Sequence, residues 1–227
     1  MTQPNTLHAM PGMAAQAATD LSHMAAGFAD PVQGSQQIFR AGLQAMSHPG
    51  RIVPVPVCAD LPTHGHAASA QLMLALLDAD CRLWLSPSLR ASEVATWLRF
   101  HTGCQLVDTL AQAHFAWVGG GDAMPRLADF QHGSDEDPHT STSCVIDLAA
   151  AHSAAQDVGG WRLQGPGISD VCQLSVSGLP ADFEAQWNDN QAQFPRGVDL
   201  WLALPDSLIG LPRTTRMHAA DAASKGV

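Results

Sequence analysis

Apolar positions set the first element. After Asp30, Ile38, Phe39, Leu43 and Met46 recur at helical spacing, with Asp30 placed to cap the N-terminus and Pro31 suited to the first turn. The run Ser47–Gly50, S-H-P-G, stops that helix. Ile52–Val57, I-V-P-V-P-V, is extended and apolar, and its two prolines confine it to a sheet edge. A second helix is predicted over Leu72–Leu77 with Ser69 as its cap, followed by a turn at Asp78–Asp80 and a buried strand at Arg82–Leu85. Ser92 and Glu93 open a third helix through Val94, Trp97 and Leu98, which Gly103 terminates.

Further along, His114–Val118 and Cys144–Leu148 read as strands, the first running into three glycines. Trp161–Leu163 and Leu174–Val176 are short strands that bracket Q-G-P-G-I, and Phe183 and Trp187 mark a helix within Ala181–Ala192. V-D-L-W-L-A-L, a P-D-S turn and L-I-G-L predict a hairpin between Val198 and Leu211. Helices alternating with short, nearly continuous apolar strands predict an α/β fold whose sheet is covered on both faces and made mixed by the hairpin. The pattern places one domain at 27–216. Residues 1–26 and 217–227 lack a clear period and read as a frayed N-terminal segment and a flexible tail.

Composition narrows the function. Charged residues make up 14% of the 227-residue chain, against about 25% in an average protein, so much of the surface is neutral or is buried against partners. A formal net charge of −10 excludes a nucleic-acid role, which needs a clustered basic face. Ten arginines and a single lysine, Lys225, leave no lysine for buried chemistry. Cys58, Cys81, Cys104, Cys144 and Cys172 are odd in number and widely spaced, the pattern of reduced thiols rather than a disulfide framework or zinc site. No lysine or arginine precedes Arg40 and no apolar run approaches roughly 18 residues, so neither a secretory signal nor a membrane span is expected and the cytoplasm is the expected location.

Several short motifs resemble chemistry without completing it. G-G-G-D (Gly119–Asp122) and G-P-G-I (Gly165–Ile168) match neither phosphate-binding fingerprint and read as turns. His101 and Cys104 supply at most two metal ligands, and with Thr102 they read as a helix end with a buried thiol. His48 suits a helix C-terminus, D-E-D-P-H (Asp135–His139) reads as a solvated loop, and S-V-S-G (Ser175–Gly178) lacks the elbow of a serine hydrolase. The strongest anion-binding candidate is Arg213, Thr214, Thr215 and Arg216, with Arg196 as a neighbour. Guanidinium groups and hydroxyls donate to phosphate oxygens. On a strand, Arg213 and Thr215 would face one side and Thr214 and Arg216 the other.

Five segments in register carry a family resemblance: G-F-A-D-P-V-Q-G-S-Q-Q-I-F-R-A-G-L-Q-A-M-S-H-P-G-R-I, L-R-F-H-T-G-C, L-Q-G-P-G-I, F-P-R-G-V-D-L and L-P-R-T-T-R. Over residues 27 to 216 the chain resembles the PhnH subunit family of the bacterial carbon-phosphorus lyase system. The resemblance implies a three-layer α/β/α fold similar to the large domain of pyridoxal-phosphate-dependent transferases, without the cofactor. It implies a homodimer in isolation and assembly with the G, I and J subunits. It further implies support for transferring the ribose triphosphate of ATP to an alkylphosphonate, with release of adenine. The lysine count agrees with a cofactor-free fold, because pyridoxal phosphate needs a Schiff-base lysine. Where family members often carry P-E-x-G-A-T this chain has D-P-H-T-S-T-S (Asp137–Ser143), so no glutamate role transfers to that place. The positions matching family motifs, and therefore the candidates for ligand or subunit contact, are Arg213, Thr214, Thr215, Arg216, Arg196, His101, Gly165 and Gly167.

Overall fold

A computed structural model describes residues 24–152 and 160–220. In chain order the elements begin with β1 (Gly27–Phe28), α1 (Pro31–Ser47), β2 (Val53–Pro54), β3 (Ala59–Asp60) and α2 (Ala67–Leu76). Next come β4 (Arg82–Leu85), α3 (Pro87–Arg90), α4 (Glu93–Thr102), β5 (Gln105–Leu106), β6 (Phe115–Val118) and β7 (Ser143–Asp147). The chain then forms β8 (Ala150–His152), β9 (Trp161–Gln164), β10 (Cys172–Ser177), α5 (Phe183–Ala192), β11 (Asp199–Leu204), β12 (Ser207–Leu211) and β13 (Arg216–Ala219).

Seven strands form the central sheet in the order β2-β12-β11-β7-β6-β4-β5. The five from β11 to β5 are parallel, and β12 runs against them as the return arm of the hairpin. The proline-bearing run does supply an edge strand: β2, with Pro54, pairs only with β12. Successive residues face opposite sides, so the sheet divides the apolar side chains into two cores. Leu83, Leu85, Trp117, Val145, Trp201 and Ala203 face α1, α2 and α4. Ala116, Val118, Cys144, Ile146, Leu200 and Leu202 face Phe183 and Trp187 of α5, together with Leu163, Leu174 and Met217.

The second core is where the structure departs from a purely helical outer layer. Its cover is α5 plus a four-stranded antiparallel sheet, β13-β9-β10-β8. The cause is legible in β9, where exposed Arg162 and Gln164 flank buried Leu163, the alternation of a half-buried strand. Residues 216 to 219, part of the segment that reads as strand end and tail, form β13 and close this small sheet against β9.

Asp30 caps α1 as expected, accepting from the backbone N–H groups of Val32 and Gln33. Ser69 does not cap α2: the helix begins two residues earlier, at Ala67, and its N-cap residue His66 offers no side-chain acceptor. Helix α1 lies directly on β12. A Cβ at Gly210 would stand 2.4 Å from the Ala45 carbonyl oxygen, so only glycine lets the helix backbone approach this strand.

Candidate functional site

Four of the short motifs that read as turns or strand ends come together in space. Gly167, at φ +85°, turns the G-P-G loop against the end of α1, where an added Cβ would meet the Ser47 carbonyl oxygen at 2.2 Å. Gly165 presses on the other side, with the Thr214 carbonyl oxygen 3.0 Å from its would-be Cβ. A Cβ at Gly50 would strike Leu163 and Cys172 of the small sheet. S-H-P-G, Q-G-P-G, F-P-R-G and P-R-T-T-R therefore form one seam between α1, the central sheet and the small sheet.

Arg213 is the knot of that seam. Its Nε donates to both carboxylate oxygens of Asp199, at 3.1 and 3.2 Å. One terminal nitrogen donates to the Pro138 and Pro195 carbonyls, at 3.0 and 3.2 Å, and the other to Ser141 Oγ and Asp199. All five guanidinium N–H groups are thereby engaged inside the chain. The side chain is 12% exposed and its Asp199 partner 20% exposed, so this is an interior clamp. The backbone N–H of Arg213 also donates to Asp199 Oδ1, at 2.7 Å.

The strand alternation expected for Arg213 to Arg216 does not hold, because β12 ends at Leu211 and Thr215 N donates to Pro212 O, closing a turn. Thr215 is fully buried, its carbonyl accepting from Trp187 Nε1 at 2.8 Å while its hydroxyl has no partner among the described residues. Thr214 is half-buried beside Gly165. Arg216 emerges on β13, exposed to solvent. Arg196 lies near the seam but points outward into a solvent-exposed pair with Asp135, Nε to Oδ1 at 3.3 Å. His101 is elsewhere: its Nε2 lies 3.0 Å from the Ala25 carbonyl oxygen, which also accepts from Trp97 Nε1, so these two rings of α4 hold the entering chain beside β1.

A second place includes G-G-G-D, which the sequence reading takes as a turn, and Asp147, which it takes only as part of a strand. The parallel strand order reverses between β4 and β6, and crevices for ligands in open α/β sheets lie at the carboxyl ends beside such a reversal. Here those ends carry Ser86, Gly119–Asp122 and Asp147. Asp147 is 5% exposed and accepts from the His66 backbone N–H at 3.0 Å, Trp117 Nε1 at 3.0 Å and the Ser69 hydroxyl. It caps α2 from across the fold, supplying the acceptor His66 lacks. Burial pushes its carboxyl above the usual range, against the opposing pull of Ser69, His66 and Trp117. Asp122 does the same for α3, accepting from Ser88 N and Oγ at 3.0 and 2.6 Å. Both carboxylates are committed to helix ends. The hints in the sequence are the G-G-G-D turn and the aspartate that interrupts the apolar run C-V-I-D-L.

Other thiols and carboxylates also serve the fold. All five cysteines are free thiols, Cys104 and Cys144 buried and the others half-buried, and burial pushes Cys81 up to about 11. Among the described residues no three His, Cys, Asp or Glu side chains gather to hold a metal. Glu93 at the start of α4 fastens Thr63 and His64. Burial acts to raise its pKa, but donors from Thr63, its own backbone and His64 outweigh this and hold it at about 2, below the ordinary 4.5. The folded state therefore gives up its proton more readily than the unfolded one. The contribution is complete above pH 4.5 and is lost as pH falls towards about 2. Thermal melts across that window are expected to show a shallower acid slope for Glu93→Gln than for the parent, and coincident slopes would remove Glu93 from this role.

Comparison with known proteins now bears on the seam. The family described as bacterial phosphonate metabolism protein (PhnH) matches residues 26–218. The chain belongs to the PhnH family. Its relatives include the alpha-D-ribose 1-methylphosphonate 5-triphosphate synthase subunit PhnH of Rhizobium meliloti (strain 1021). That protein is 36% identical over 191 residues, covering 84% of this chain and 94% of the relative. Another is the putative C-P lyase subunit protein HtxG of Stutzerimonas stutzeri, 30% identical over 186 residues, 81% of this chain and 85% of the relative. The PhnH match spans both the central and the small sheet, and with them every element of the seam.

Proposed function

We propose that this PhnH-family chain is an accessory subunit of alpha-D-ribose 1-methylphosphonate 5-triphosphate synthase, in organic phosphonate catabolism. In that role it supports transfer of ribose triphosphate from ATP to an alkylphosphonate while neighbouring subunits complete the reacting centre. The observation that carries the reading is the fate of Arg213: the best phosphate-gripping residue in the sequence spends all five donors on Asp199, Ser141 and two backbone carbonyls. The synthase relative, matched over nearly its whole length, supplies the reaction.

The partners in this reading are the G, I and J subunits of the carbon-phosphorus lyase core complex, with a homodimer outside it. Exposed Val32, Phe39 and Leu43 on α1 offer apolar surface for such contacts. A seven-stranded sheet with one reversed strand supports a relation to the large domain of pyridoxal-phosphate-dependent transferases. The described residues contain no lysine, which supports action without that cofactor. Among them no helix is long and apolar enough to cross a membrane, which fits a cytoplasmic complex.

Purified alone, the chain is expected to give no adenine from ATP and methylphosphonate. Adding the G, I and J subunits is expected to restore release in proportion to complex formed. Turnover by the isolated chain would instead make it a self-contained transferase or hydrolase, and unchanged turnover of the complex without it would leave it a scaffold.

A further inference from the structure

The outer face of the small sheet has an unusual charge for this protein. Register and exposure together define it. Arg216 stands opposite Gln164 and His218 opposite Arg162 across β13 and β9, and all four are exposed. Gln173 adjoins Arg162 on β10, and Ser175 faces His152 across β10 and β8. Among its described residues this face has two arginines, two histidines and no carboxylate, in a chain whose formal net charge is −10.

Arg162 and Arg216 are diagonal neighbours, about 7–8 Å apart by sheet geometry. Neither has an ion-pair partner among the described residues, which holds also for Arg40, Arg51, Arg82, Arg99 and Arg126, while Arg90, Arg196 and Arg213 are paired. The small sheet buries its other face on Leu163, Leu174 and Met217 and is held by the seam, so the arginines are presented on a fixed frame. The basic side chains spread from Arg216 and His218 on β13 through Arg162 on β9 to His152 on β8, three strand spacings or about 14 Å. A spread of that width matches an extended anionic surface better than a single phosphate.

We propose that the β13-β9-β10 face, through Arg162 and Arg216, docks an acidic face of another subunit of the synthase. This rests on the subunit reading above and adds where the contact lies and which charge the partner presents.

The test uses the full chain and the remaining synthase subunits, co-expressed and purified as a subassembly. Binding is followed by interferometry at low and moderate salt. Arg162→Glu/Arg216→Glu is expected to weaken binding by about 100-fold, because reversed rim charges repel an acidic partner. Arg162→Gln/Arg216→Gln should weaken it less, and Arg99→Glu, exposed on α4, should bind as the parent does. Parent affinity should fall as salt rises, since exposed charge pairs are screened. Circular dichroism checks that each variant folds, and the neutral pair keeps the question open to refutation should the reversed pair not fold. Parent binding with both double variants within twofold of it would overturn the docking face alone. No binding by the parent would overturn the subunit reading and the face with it. Tripolyphosphate binding by the isolated chain, lost in both double variants, would overturn the choice of a protein surface in favour of a polyphosphate site.

Discussion

Arg213→Ala is expected to cost about 3–5 kcal/mol of folding stability, the range for removing one partner of an interior ion pair. Asp199 would keep its charge in a site only 20% exposed, and the Ser141 hydroxyl and the Pro138 and Pro195 carbonyls would lose their donor. For a domain of this size the melting temperature should fall on the order of 10 °C. Arg213→Lys should recover little, because an ammonium offers three donors from a point where the site uses a planar fork of five. Melts and urea titrations of the three proteins decide the matter. A variant that stays as stable as the parent while the reconstituted complex loses turnover would return Arg213 to the role of phosphate ligand.

The second large effect is expected at Asp147. Asp147→Ala strips the acceptor from the Ser69 hydroxyl, Trp117 Nε1 and the His66 N–H at once. Each buried donor left unpaired costs about 1–3 kcal/mol, so a loss of about 4 kcal/mol is expected after partial relaxation. Asp147→Asn should fall between, since its amide keeps one acceptor oxygen. Adding Ser69→Ala to Asp147→Ala should recover part of the loss, because one orphaned donor is then gone. Additive losses in urea unfolding would mean that the two side chains do not share the interaction. If Asp147 instead held substrate, its alanine variant would fold normally and fail only in turnover.

The elements that could be read from sequence are those whose burial is settled locally. Helix α1 announced itself through Asp30, Pro31 and a 3.6 period, although Phe39 and Leu43 of that period face solvent and its buried side is Ile38 with the small residues Gly34, Ala41, Gly42 and Ala45; β11 and β12 did so through their apolar runs and P-D-S turn. What escaped depends on distant partners. Strand β13 has no pattern of its own because only Met217 faces inward, and it becomes a strand by pairing with β9. The α2 cap could not be found near α2, since the acceptor lies on β7, more than seventy residues along the chain. The site residues divide the same way. Gly165 and Gly167 were visible as special positions, while their use, close contact with Thr214 and Ser47, required the tertiary fold. Arg213 was visible as a grip, but what it grips came from Asp199, which nothing in V-D-L-W-L marked out.

The seam also constrains how this lineage can drift. Gly167 meets the backbone at Ser47 and Gly165 the backbone at Thr214, while Arg213 reaches Pro138, Pro195 and Asp199. A change in any one of these short motifs is felt by another that lies far away in sequence. Such positions can move only in concert, and homologues that abandon one partner should show compensation at the other.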